Sequence, residues 1–171
     1  TRHTEQLSEQ PVNPEVMSNF HLDWEMNPVS PEGYYGDALI EQVLAGYQGR
    51  LSDTTLVFPV GAMRTIRRLS RMSGNRLLIV SSDKGYTHED ELFYINGQYV
   101  QFHGALSTMS NYHAMGQLVQ KLGGHYLATA QRQMSLKTVA YLVGGSSEQF
   151  ADTMAAFRTS MDVFGPYDFY T

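Results

Sequence analysis

The sequence predicts an α/β fold in which parallel strands end in an antiparallel strand pair and helices lie on both faces of the sheet. Extended and helical patterns alternate after residue 33, as crossovers between parallel strands require. The aliphatic run Leu77–Val80 is typical of a strand buried on both faces. Two later strand patterns, 125–130 and 135–143, are joined by too few residues for a crossover, so we expect them to pair antiparallel.

The first half of the chain contains two predicted helices and two predicted strands. Residues 34–48 have apolar positions at helical spacing. Residues 54–60 are rich in β-branched and aromatic residues, and 76–82 surround the aliphatic run, so both are predicted to be strands. The helix between them carries apolar residues at every third position: Met63, Ile66, Leu69 and Met72. Alternatively, Pro59 begins this helix and leaves 54–58 as a short extended approach.

A short helical turn and a hairpin are predicted next. Thr87–Asp90 resembles a capping box, which favours one helical turn. Asn96 and Gly97 lie between extended patterns at 92–95 and 98–103, and this dipeptide is the strongest short signal for a two-residue hairpin turn.

Two helices complete the predicted elements. Ser107 or Ser110 can cap the first of them, and Gly123 marks its end. Residues 146–149 open the second, which Gly165 ends.

Composition excludes several classes of protein. A length of 171 residues indicates a single domain, and a formal net charge of −5 makes nucleic acid an unexpected main partner. The absence of cysteine excludes disulfides, thiolate metal sites and a cysteine nucleophile. No apolar run approaches the length of a membrane span. We therefore expect a soluble, cytoplasmic protein with no membrane partner.

Residues 1–33 are predicted to be a linker or arm, and residues 34–171 to form the α/β domain. Four of the six prolines fall in the first stretch, which has few periodic apolar positions. The chain also begins without Met, as a segment cut from a longer protein would. A domain with a flexible arm would give the same pattern.

The first candidate site follows the predicted strand at 76–82. Asp83, Lys84 and Tyr86 bring a carboxylate, an ammonium group and a phenol together around Gly85. Ligands of such sheets bind beyond the carboxyl ends of the strands, where these groups can position a substrate or accept a proton. A solvated turn explains the same residues and is the more common outcome for such a segment.

The second candidate site surrounds the start of the helix after the predicted hairpin. His103 precedes this helix, and Asn111 and His113 fall in its first turn, where free N–H groups favour polar ligand atoms. His103, His113 and Asp83 lack the spacing of known ligand sets, so we predict no metal site. A histidine that satisfies a helix end is the more ordinary role.

A stripe of arginines marks the helix before the strand at 76–82. Its members fall at positions i, i+3, i+4 and i+7: Arg64, Arg67, Arg68 and Arg71. Such a face can hold a phosphate backbone or an acidic partner. A solvated face opposite the apolar stripe is the simpler interpretation.

Several short segments resemble one known family. In chain order they are Leu56–Arg64, Leu78–Tyr86, Phe102–Ser107 and Asn111–Ala114. Together they are similar to the carboxy-terminal half of a bacterial group of class I S-adenosylmethionine-dependent methyltransferases, related to the MidA-like enzymes. The resemblance extends from about Tyr34 to Tyr170.

The resemblance implies a Rossmann-like sheet, S-adenosylmethionine as the cofactor and a protein side chain as the substrate. In the family an acidic, aromatic and glycine-containing turn lies near the catalytic cleft, and it corresponds to Asp83, Gly85 and Tyr86. The family's cofactor-binding glycine-rich turn has no counterpart in this chain. The resemblance therefore implies that a missing amino-terminal half, or a partner, covers an open edge of the sheet.

We therefore predict that the chain is the substrate-side half of such a methyltransferase. The predicted catalytic residues are Asp83, Tyr86 and His113, and the predicted substrate-binding residues are Lys84, Gly85, His103 and Asn111. One alternative is a non-catalytic interaction module that uses the Arg64–Arg71 helix face or an exposed sheet edge. A weaker alternative is a small hydrolase built on the histidine and aspartate residues.

Overall fold

The structure is a computed structural model that describes residues 25, 27–97, 100–102, 106–130 and 136–163. The chain divides into two compact units, of which the smaller contains Thr1–Pro28 and Tyr99–Thr108, and the larger Val29–Gln98 and Met109–Thr171. The described strands of the smaller unit are β2 (Val100–Phe102) and β3 (Leu106–Thr108), which pair antiparallel. All the other elements belong to the larger unit.

The larger unit contains both helices and strands. Its described helices are α1 (Ala38–Arg50), α2 (Val60–Met72), α3 (Tyr112–Lys121) and α4 (Ala151–Val163), with a short 3₁₀ helix at Glu89–Leu92. Its described strands are β1 (Leu77–Tyr86), β4 (Ser110–Asn111), β5 (His125–Ala128) and β6 (Leu136–Val143). The predicted α/β class is confirmed.

The four strands of the larger unit form one mixed sheet in the order β4-β1-β6-β5. Strand β6 is antiparallel to both β1 and β5, so β1 and β5 run parallel to each other. Strand β4 pairs parallel with β1 over only two positions, Gly85 with Ser110 and Tyr86 with Asn111. The predicted antiparallel strand pair at the end of the fold is confirmed as β5 and β6. Among the described strands, the predicted parallel pairing is limited to the two positions of β4, because the long partner of β1 is the antiparallel strand β6.

Helices pack against both faces of this sheet, as predicted. The larger core lies between the sheet and α1, α2 and α3, and its most buried side chains include Ile40, Tyr47, Met63, Leu118, Val139 and Tyr141. On the other face, Met154 and Phe157 of α4 pack against a smaller cluster formed by Leu127, Ala140 and Leu142.

The prediction that the aliphatic run of β1 is buried on both faces is wrong. Leu77 and Ile79 pack against the larger core, whereas Leu78 and Val80 are 52% and 60% exposed. The cluster under α4 draws its side chains from β5 and β6, so the described part of α4 does not bury these two residues of β1.

The predicted strand at 54–60 is also wrong. Helix α2 begins at Val60, directly after Pro59, and residues 54–58 form no strand. Proline fixes φ near the helical value, so it starts a helix readily and gives no N–H to a strand ladder. Residues 54–58 are instead held by individual contacts. One of them is the hydrogen bond that the Asn111 side-chain amide donates to the Val57 carbonyl over 3.2 Å.

Two smaller predictions need correction. The predicted hairpin between 92–95 and 98–103 is wrong. Leu92 ends the 3₁₀ helix, and the residues from there to Gly97 form no strand. The partner of Val100–Phe102 is Leu106–Thr108. Asn111, rather than a serine, caps α3, because its side-chain oxygen accepts from the Ala114 N–H over 2.9 Å.

Candidate functional site

A cavity of about 290 Å³ opens in the larger unit where β1 gives way to the 3₁₀ helix. Three elements line it: the segment after β1, one face of α3, and strand β5. Its lining residues are Thr87, His88, Glu89, His113, Gln117, Gln120, Tyr126 and Ala128. We call it the His113 cavity.

The segment after β1 is held in place by the carboxylate of Glu91. This group accepts hydrogen bonds from the backbone N–H groups of Thr87, over 2.7 Å, and His88, over 3.0 Å. It also pairs with the ammonium group of Lys137 at 2.8 Å. Burial alone raises the pKa of Glu91, but the Lys137 contact and the two N–H donors outweigh it and leave the pKa lowered. Glu91 is therefore charged at neutral pH.

Lys137 lies in β6 and only 2% of its side chain is exposed. A buried ammonium group needs a charged partner, since the cost of removing it from water is several kcal/mol. The pair with Glu91 therefore fixes the 3₁₀ helix to the start of β6, an interior strand of the sheet. This contact shapes one wall of the His113 cavity through Thr87 and His88.

His113 lies in the first turn of α3, with its two ring nitrogens in different surroundings. The Nδ1 atom is 2.7 Å from the hydroxyl oxygen of Tyr47, and the Gln117 side-chain amide donates to Nε2 over 3.3 Å. An amide NH₂ group can only donate, so this orientation of Gln117 selects the tautomer with the ring proton on Nδ1, which then donates to Tyr47. The lone pair of Nε2 then faces the amide of Gln117, and both residues line the cavity.

The electrostatic surroundings keep the imidazole neutral. Burial is the main cause that lowers the pKa of His113, and the nearby charge of Glu89 opposes it only in part. Burial also raises the pKa of Tyr47, so the phenol keeps its proton. At pH 7 the His113 cavity therefore contains a neutral imidazole with one accepting nitrogen.

Glu89 contributes a carboxylate whose charge is already paired. Its Oε1 atom lies 2.7 Å from the Nε of Arg50 at the end of α1. The guanidinium lowers the pKa of this carboxyl, so the pair stays ionised. The ion pair bridges α1 and the 3₁₀ helix and leaves the cavity close to neutral overall.

Tyr126 forms the opposite wall. Its hydroxyl donates to the Thr87 carbonyl over 2.9 Å, and its ring stacks on Tyr141 with centroids 5.6 Å apart. A Cβ atom at Gly116 would lie 2.5 Å from this ring. Glycine in the interior of α3 therefore allows Tyr126 to pack against the helix and close the cavity.

The structure places the first predicted site in a strand rather than in a turn. Strand β1 continues to Tyr86, so Asp83 and Lys84 lie within it as exposed residues opposite Lys137 and Leu136. Asp83 accepts from the N–H of its neighbour Lys84. The His113 cavity is not lined by either residue.

Gly85 and Tyr86 have visible packing roles at the end of β1. A Cβ at Gly85 would lie 2.3 Å from the Ser110 carbonyl oxygen, so glycine permits the close approach of β4. Tyr86 is half-buried against the larger core. Neither lines the cavity.

Of the residues predicted for the second site, His113 is the one that the structure places in the cavity lining. Asn111 is buried, caps α3 and holds the Val57 carbonyl, and it is outside the cavity lining. His103 lies outside the described residues. Within the described ranges, no group of three or more histidine, aspartate or glutamate residues is arranged to hold a metal ion.

Sequence reasoning missed several residues of the site. Gln117 follows His113 by four positions, a spacing that puts both on one helix face and could have been noticed. Tyr47 gave no such signal, since it lies 66 positions before His113 and matches an ordinary core position of α1.

Comparison with protein-family models, with curated proteins and with solved structures finds no match for this chain. None of the helices in the described part has the length and apolar character needed to cross a membrane. The fold and the site therefore define the class on their own, as an α/β unit with a histidine-containing cavity beyond the carboxyl end of β1.

Proposed function

We propose that the chain forms the acceptor side of an S-adenosylmethionine-dependent methyltransferase, with a protein side chain entering the His113 cavity. The observation that carries the proposal is the neutral imidazole of His113, which lines a cavity at the carboxyl end of β1 and whose Nε2 contacts Gln117, another lining residue. The methyl donor itself is inferred from the resemblance of the sequence. The Rossmann-like character of the sheet belongs to the same proposal.

The residues of the cavity suit a nitrogen acceptor. Such a nitrogen gives up a proton when it forms a bond to carbon, and a neutral imidazole can accept that proton. In the proposed complex the acceptor N–H replaces Gln117 as the donor to Nε2 of His113. Tyr47 holds the Nδ1 proton and so keeps the ring oriented. Of the predicted catalytic residues, His113 alone lines the cavity, so the proposal gives it this role.

The described residues do not fit the cofactor. The His113 cavity, at about 290 Å³, is slightly smaller than the roughly 300–1,000 Å³ usual for small-molecule sites, and its size suits a single side chain. The G-x-G-x-x-G pattern of nucleotide-binding turns is also absent from the sequence. The proposal therefore assigns cofactor binding to residues outside this chain.

The sheet offers a place for those residues. Over Leu77–Lys84, β1 has β6 on one side and no strand among the described residues on the other. Leu78 and Val80 on this strand are exposed. An edge of this kind pairs readily with an added strand, and we propose that the cofactor-binding half adds one here.

Calorimetric titration with S-adenosylmethionine tests whether cofactor binding depends on residues outside this chain. We expect no binding by this chain and binding by the same chain extended at its amino end. Binding by neither form overturns the methyltransferase proposal. Binding by the chain alone would contradict the assignment of the cofactor site to residues outside it.

The role of His113 is tested in the extended form. We expect His113→Ala to retain S-adenosylmethionine binding but to lower transfer of tritiated methyl groups to protein at least about 100-fold, as the loss of a general base does. His125→Ala is the matched control, since His125 is paired with Leu142 on the opposite face of the sheet and lies outside the cavity lining. Equal transfer by the two variants would remove His113 from the mechanism.

A further inference from the structure

Helix α2 exposes apolar residues that its pattern places in the core. Met63 and Ile66 are buried as expected, but Leu69 is 39% exposed and Met72 is 73% exposed. Ser70 is buried instead. The helix is therefore rotated so that the last two residues of the predicted apolar stripe face solvent.

These apolar residues share their surface with arginines. Arg71 and Met72 follow Arg68 by three and four positions, so both are neighbours of Arg68 on one helix face. Both arginines are exposed. We call the surface formed by Arg68, Leu69, Arg71 and Met72 the α2 patch.

The two arginines of the α2 patch differ from the other two of the helix in the partners of their side chains. Arg64 donates to the Tyr35 carbonyl over 2.8 Å, and Arg67 pairs with Asp37. Within the described part of the chain, the guanidinium groups of Arg68 and Arg71 take part in no hydrogen bond or ion pair. Helix α2 itself contains no acidic residue. The patch therefore combines two free positive charges with exposed apolar surface.

We propose that the α2 patch binds an acidic segment of a partner protein that also carries apolar side chains. Carboxylates of the segment pair with Arg68 and Arg71, and its apolar side chains cover Leu69 and Met72. Arginine recognises carboxylates through paired N–H groups, and exposed apolar residues among charges are typical of protein interfaces. None of the patch residues lines the His113 cavity, so this binding is independent of the proposed methyltransferase activity.

The charge of the whole chain favours an acidic peptide over a membrane or a nucleic acid. The chain carries 17 acidic and 12 basic residues and a formal net charge of −5. A lipid surface or a nucleic acid presents an extended negative field that the rest of the chain would repel. A short peptide contacts the patch alone.

The probe is a fluorescein-labelled peptide of glutamate and leucine, with a glutamine and leucine peptide of the same pattern as its uncharged counterpart. Fluorescence anisotropy on the full chain should show binding of the acidic peptide that weakens as ionic strength rises. Arg68→Gln with Arg71→Gln should weaken it about fivefold, as expected for two exposed ion pairs. Lys121→Gln with Arg158→Gln removes the same charge from other helices and should leave binding unchanged.

Equal weakening by the two double variants, or equal binding of the two peptides, would overturn the proposal. Two competing probes are used separately: a single-stranded DNA oligonucleotide, and vesicles that contain phosphatidylserine. Binding of either through Arg68 and Arg71, without binding of the acidic peptide, would also overturn it. Met72→Gln should weaken peptide binding without changing its dependence on salt, because this side chain contributes apolar contact only.

Discussion

The imidazole of His113 is held between a phenol and an amide, and each neighbour has a distinct effect. Tyr47 orients the ring through Nδ1, and Gln117 occupies the position that a ligand N–H would take at Nε2. Burial keeps the ring neutral by lowering its pKa. A single residue thus combines orientation, accessibility and the protonation state that a proton acceptor needs.

Gly116 is the residue on which the shape of the cavity most depends. We expect Gly116→Ala to lower the free energy of unfolding by about 1–3 kcal/mol, because the added methyl group would lie 2.5 Å from the Tyr126 ring. Urea denaturation measures the change. Gly61→Ala in the first turn of α2 is the control, since nothing lies within 4 Å of the added Cβ there. Helix propensity predicts a gain of up to about 1 kcal/mol for it. Equal losses in the two variants would contradict the packing argument.

At the scale of elements, two contacts of different character hold the 3₁₀ helix. Lys137→Met leaves the Glu91 carboxylate without its buried cation, and we expect a loss of about 3–5 kcal/mol in the free energy of unfolding. Arg50→Met breaks the more exposed pair with Glu89 and should cost no more than about 1 kcal/mol. Chemical denaturation of both variants compares them directly, and similar losses would show that burial does not distinguish the two pairs.

The cap of α3 joins two parts of the fold. Asn111→Ala removes the acceptor for the Ala114 N–H and the donor to the Val57 carbonyl, and we expect a loss of about 1–2 kcal/mol. Asn111→Ser keeps an acceptor for the Ala114 N–H but is too short to donate to the Val57 carbonyl, so thermal denaturation should place it between the alanine variant and the wild type. A serine variant as unstable as the alanine variant would assign the effect to the Val57 contact.

Local signals decided which elements could be predicted from sequence. The ends of α2 and α3 were predictable because Gly74 and Gly123 adopt positive φ, which glycine permits. The β5–β6 pair followed from its short linker. The hairpin at Asn96 was not predictable, because Gly97 has the expected positive φ yet the neighbouring strand forms its pair elsewhere. A turn signal fixes a local backbone shape and leaves open which segments pair.

At the scale of the whole molecule, His113 and Glu91 both contribute to the dependence of stability on pH. The folded state lowers the pKa of His113 below the ordinary 6.5, so the unfolded chain binds this proton first and stability falls as the pH drops below about 6.5. Glu91 also has a lowered pKa, so its contribution is present above the ordinary 4.5 and is lost as the pH falls through its folded value. Denaturation between pH 7 and 5 should show a weaker pH dependence for His113→Gln. A profile identical to that of the wild type would contradict this assignment.

The candidate site was only partly predictable because it depends on tertiary placement. Sequence reasoning found His113 from its position at a helix start, but it placed Asp83 in a turn, since nothing local shows that β1 continues for four residues past Ser82. The exposure of Leu78 and Val80 was equally unpredictable, because an aliphatic run has the same sequence pattern whether or not a helix covers it.

Nitrogen-detected NMR of the histidine rings, followed through a pH titration of the intact chain, tests the central claim most directly. We predict that His113 carries its proton on Nδ1 at neutral pH and titrates with a midpoint below 6.5. A midpoint at or above 6.5 would contradict the lowered pKa assigned to the ring, and a proton on Nε2 at neutral pH would show that this nitrogen cannot accept a proton. Either result would contradict the proposed role of the cavity.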